Sequence, residues 1–156
     1  MIDRGRVGPV ARALGFAGLL PQVALVAAVG LLQESNGPAG TVILAGIYPL
    51  AILSFLGGMW WGLAIRSDDL QAPTVAVAVV PSLIAVVLAL VFFAALNGGY
   101  AGWTLVAIGS AVLLTLPVDR WLVARGLAPE GWMALRVPLS VGLGGLTIAA
   151  GALAGG

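Results

Sequence analysis

Five apolar runs, each long enough to cross a bilayer and none interrupted by a charge, constrain this chain more than any other feature. They are Leu14–Leu32, Thr41–Ile65, Thr74–Leu96, Gly102–Val118 and Val137–Ala154. A helix spanning the hydrocarbon core needs about 20 mostly apolar residues. The runs are continuous rather than alternating, which excludes membrane-spanning strands. Composition agrees: 61% of the 156 residues are apolar and 8% charged, whereas a soluble domain carries roughly 25% charge. A chain this poor in polar groups cannot cover a water-facing surface. The sequence predicts an all-α, polytopic integral membrane protein, a single domain over residues 1–156 with five transmembrane helices in a bundle.

Arginine placement predicts the orientation, because cytoplasmic flanks retain positive charge. Arg4, Arg6 and Arg12 precede the first span, Arg66 follows the second, and Arg120, Arg125 and Arg136 lie between the fourth and fifth. With five spans every arginine falls on one side, giving a cytoplasmic N-terminus and an outside C-terminus in a bacterial inner membrane. The first span shares a basic start and an apolar run with a signal peptide. It is longer than the usual h-region of about 7–15 residues, and no A-x-A site follows, so it reads as a membrane helix.

The same composition narrows the chemistry. There is no cysteine and no histidine, which removes disulfides, thiol catalysis, thiolate zinc sites and imidazole ligation of haem. No cofactor or metal site is implied. A net charge of +1 lacks the basic face that nucleic acid requires. The partners this leaves are the lipid bilayer, other membrane-protein subunits, or a second copy of the chain.

The stretch "ILSFLGGMWWGLAIR" (Ile52–Arg66) is the least ordinary in the sequence. Ser54, Gly58 and Gly62 recur every four residues and share one helical face, with Gly57 widening the groove. Small residues at that spacing predict a helix-packing seam. Trp60 and Trp61, one turn before Arg66, read as interfacial anchors, as do Trp103, Trp121 and Trp132. The alternative is a ligand groove lined by tryptophan and serine. Each span also carries a proline: Pro21, Pro49, Pro81, Pro117 and Pro138. Each lacks an amide donor and tends to free the carbonyl four residues back, such as Ala45 for Pro49 and Val77 for Pro81. Freed carbonyls can coordinate ions in transporters, and can equally be satisfied by neighbouring side chains.

The link from Asp119 to Arg136 is the one loop with room for chemistry. Pro129 and Glu130 resemble the first turn of a helix, while Asp119 and Arg136 bracket the link at similar depth and form a candidate ion pair. Asp119, Glu130 and Arg136 together are an alternative catalytic or headgroup site.

Taken together, "GLLPQ" (Gly18–Gln22), "ILSFLGGMWWGLA" (Ile52–Ala64), Asp119 and "PEGWMALRVPLS" (Pro129–Ser140) resemble domain-of-unknown-function family 3429. These are small polytopic, transmembrane protein 69-like membrane proteins of proteobacteria and mitochondria. The Phe-Leu-Gly-Gly-x-x-Trp-Gly core is the most specific part, and Trp132-Met133 departs from the Trp-Tyr common in the family. The resemblance implies a bacterial inner-membrane location and a link to bioenergetic membranes, and no activity. The expected role is a non-enzymatic accessory, assembly or structural component that packs with membrane helices or lipids. The rivals are a small-solute or ion carrier using kinked second and third helices near Pro49, Ser54 and Pro81, and a lipid-headgroup enzyme at the cytoplasmic face.

Overall fold

The computed structural model describes residues 5–31, 39–65 and 70–155. Among the described residues seven helices follow in chain order: α1 (Pro9–Ala17), α2 (Leu20–Leu31), α3 (Ala39–Ala64), α4 (Gln71–Gly98), α5 (Ala101–Leu113), α6 (Leu116–Ala124) and α7 (Trp132–Ala154). They make five candidate membrane spans, because α1 with α2 and α5 with α6 each form one broken span, Pro9–Leu31 and Ala101–Ala124. The chain is a helical membrane bundle. Arg4, Arg66 and the first link, "QESNGPAG" except for its last two residues, lie outside the described residues.

Proline sets both breaks. Pro21 and Pro117 occupy the second position of α2 and α6, where a missing amide costs little, but neither can donate to the preceding turn. The turn between α1 and α2 is held from outside by the Tyr48 hydroxyl, which donates to the Gly18 carbonyl. Pro49, Pro81 and Pro138 instead lie inside unbroken helices. At Pro49 the carbonyl four residues back is capped: Gln22 Nε2 donates to Ala45 O at 3.1 Å and to Thr147 Oγ1 at 3.1 Å. One amide thus ties α2 to α3 and α7. Other intramembrane hydroxyls bond their own helices, as with Ser110 to Val106 O at 2.8 Å and Thr147 to Leu143 O at 2.7 Å.

Two pairs of helices approach closely at glycines. Along α5 and α7, antiparallel to one another, Gly109 meets Gly144 and Gly102 meets Gly151. A Cβ built on Gly109 would lie 2.5 Å from Gly144 O, and one on Gly151 would lie 2.5 Å from Gly102 O. Close approach of this kind gains dispersion contacts that lipid does not supply. Between α3 and α4 the contact is at Gly57, whose Cβ would fall 2.3 Å from Ala78 O. The Ser54 and Ser82 hydroxyls meet at 3.1 Å across the same pair of helices.

This displaces the predicted seam on α3. Gly58 and Gly62 are exposed, and a Cβ on either meets nothing within 4 Å. The i, i+4 row does share a helical face, but the face that packs runs through Ser54 and Gly57, a spacing of three. Gly58 and Gly62 look outward.

Candidate functional site

At the end of the bundle where α3 finishes and α7 begins, three elements converge on one carboxylate. Asp119 sits in the first turn of α6, fully buried. Its Oδ1 accepts from Trp60 Nε1 of α3 at 3.0 Å and from Trp132 Nε1 of α7 at 3.0 Å. Its Oδ2 accepts from Arg136 Nε of α7 at 2.9 Å. Arg136 is 4% exposed and also donates from Nη2 to Thr115 Oγ1 at 3.4 Å. Thr115 in turn donates to Val112 O at 2.7 Å. The break before Pro117 matters here, because it creates a new helix N-terminus whose dipole favours an acid in its first turn.

The pair is buried beside an apolar cluster of Trp60, Ala78, Leu122 and Ala128, with Leu63, Val118 and Trp121 packed against that cluster. Excluding water lowers the local dielectric and strengthens every charge-assisted bond inside. A carboxylate accepting three N–H bonds, one from a guanidinium, is compensated. Chemically, the arrangement is a clamp joining α3, α6 and α7. No group of three metal-ligating side chains occurs among the described residues.

Several sequence readings change at this site. Trp60 is 2% exposed and donates to Asp119, so it is a core residue rather than an interfacial anchor. Trp61, 44% exposed, and Trp103, 76% exposed, face outward. Trp121 is half-buried with the Arg125 guanidinium 5.6 Å from its ring centroid, a cation–π contact. Trp132 is half-buried and serves the carboxylate. Asp119 belongs to a helix within the fourth span, not to the link. Glu130 does not join Asp119 and Arg136. Nor is it in a helical first turn, because α7 starts at Trp132 after Gly131, whose φ of 79° is a left-handed value that glycine adopts freely. Glu130 instead forms an isolated bridge with Arg6, with Val7 N donating to Glu130 O at 3.1 Å and Glu130 N donating to Gly5 O at 3.2 Å.

A groove of about 610 Å³ lies between α1, α3 and α7. Leu14, Phe55, Met59, Leu139 and Leu143 are among the residues that line it, together with Arg136 and Ser140. The Ser140 hydroxyl is buried with no hydrogen-bond partner among the described residues. No residue of α1 is buried. The groove and the α5–α7 glycine pairs are features the sequence analysis missed. The pairs did leave a signal, glycines seven apart on each helix. The groove left none.

A family model described as a protein of unknown function (DUF3429) matches residues 7–153, from the groove mouth through the clamp to the end of α7. The chain belongs to that family. No curated protein and no solved structure matches it. In this family member the stretch around Gly57 and Trp60, prominent in the sequence, supplies one tight helix contact and one donor to the buried acid.

Proposed function

We propose that this DUF3429 member is a non-enzymatic accessory or assembly component of a bacterial inner membrane. Its arginine-bearing end faces the cytoplasm, and its partners are other membrane helices or lipids. The observation that carries this reading is the state of Asp119. An ionisable group inside a membrane span is a functional-site candidate by default, yet this one is buried and accepts bonds from Trp60, Trp132 and Arg136. Its accepting capacity serves to join helices.

Some of the polar groups a carrier would use are engaged in the same way. Ser54 and Ser82 bond each other, and the Ala45 carbonyl is capped by Gln22. The test is gentle detergent extraction followed by native-mass measurement and identification of whatever comes along. A copurifying membrane protein, or a self-associated species, is expected. A monomer that carries no protein partner would overturn the accessory reading and move the carrier ahead.

A further inference from the structure

The groove between α1, α3 and α7 continues at its α7-start end into a second recess of about 440 Å³ that shares Arg6 and Val7 with it. Arg12, Glu130 and Gly131 also line that recess. The Arg12 guanidinium lies over Gly131, with Nη2 3.1 Å from where a Cβ would sit. Arg6 and Glu130 approach at 3.7 Å with side chains 81% and 72% exposed, and such exposed pairs hold each other weakly. The recess therefore offers two guanidinium groups against one carboxylate, at the mouth of an apolar channel.

The charge and the wall select an occupant. The apolar wall suits a hydrocarbon chain, and the two guanidinium groups at its mouth suit an anion. Gly131 and Arg136 are five residues apart, about 7 Å along the α7 axis. An anion at the level of Arg12 and Gly131 therefore lies a short step above Arg136. That arginine lines the groove, and two of its five N–H groups account for its bonds to Asp119 and Thr115. A phosphate joined to a glycerol ester has acceptors on either side of such a step.

We infer that this groove is a binding site for an anionic glycerophospholipid, with its phosphate between Arg6 and Arg12, an ester carbonyl facing Arg136, and one acyl chain along Leu14, Leu139 and Leu143. The inference rests on the reading that the bundle's partners are lipids or membrane helices, and it names the lipid class and the site.

The test uses the full chain in mild detergent, exchanged into an equimolar mixture of phosphatidylglycerol and phosphatidylcholine. Retained lipid is read by native mass spectrometry. The parent retains phosphatidylglycerol preferentially. Arg6→Gln with Arg12→Gln lowers that preference about five-fold per arginine lost, the usual weight of a basic side chain at an anionic lipid surface. Arg6→Lys with Arg12→Lys keeps most of it. Ala11→Trp, at an exposed position on the groove wall, fills the channel and lowers retention of both lipids while the protein remains monodisperse. Equal retention of the two lipids by the parent, or an unchanged preference in the Arg→Gln pair, would overturn the site. A copurifying membrane protein with no lipid preference would sink the lipid site and leave the accessory reading standing. A bare monomer that still prefers phosphatidylglycerol would do the reverse.

Discussion

Replacing Asp119 by Asn strips the charge from the clamp while keeping a carbonyl oxygen for the two indoles. Asp119 accepts at 2.9–3.0 Å from Arg136, Trp60 and Trp132, and Arg136 is 4% exposed. In the variant the guanidinium keeps its desolvation penalty and loses its counter-ion, which for a buried pair costs about 3–5 kcal/mol. Asp119→Ala additionally orphans both indole donors, at about 1–3 kcal/mol each, and approaches the entire stability of a typical fold, about 5–15 kcal/mol. Arg136→Gln alone leaves the carboxylate unpaired, with a cost like that of Asp119→Asn. The double variant Asp119→Asn with Arg136→Gln buries no charge, and its amides can bond each other. Its loss should therefore be at least about 2 kcal/mol smaller than the sum of the single losses, within the range of coupling between residues in one network. Reversible unfolding in detergent, followed by tryptophan fluorescence, measures the parent and the four variants, since two of the reporters are bonded to the acid. Strictly additive losses, or an Asp119→Asn variant within about 0.5 kcal/mol of the parent, the level of an ordinary surface change, would refute the clamp.

Gly57→Leu should destabilise by about 1–3 kcal/mol or more through overpacking, because its Cβ would fall 2.3 Å from Ala78 O, while Gly58→Leu should be tolerated in open space; melting temperature and monodisperse yield for the two variants separate these outcomes. Trp60→Phe keeps the ring and removes the Asp119 donor, so a loss of about 1.5–3 kcal/mol is expected, against about 0.5 kcal/mol or less for the exposed Trp61→Phe, by the same unfolding measurement. A topology reporter fused after Gly156 should read as non-cytoplasmic and one inserted near Gly126 as cytoplasmic, following the arginine distribution; the opposite signal at either position would end the N-in assignment.

Hydropathy is a local property, and what depends on it was determined by the sequence alone: an all-α bundle of five spans, with links carrying most of the charge. Proline acts locally too, so the positions of possible breaks could be read directly. Whether a proline breaks its span depended on the surroundings. Pro49 sits in a continuous helix whose freed carbonyl finds Gln22, while Pro21 follows a turn held by Tyr48. The choice between Gly57 and Gly58 was likewise made by the tertiary structure. In water an apolar stripe marks the buried face of a helix, but lipid tails are as apolar as a protein core. Nothing in α3 by itself distinguishes the face that meets α4 from the face that meets lipid. Trp60 illustrates the same ambiguity: beside a span end, a tryptophan suits the interface or the interior equally well, and it went inside because a buried carboxylate on α6 needed a donor. That carboxylate sits at Asp119, 59 residues away in the chain, and only packing brings the two within 3.0 Å.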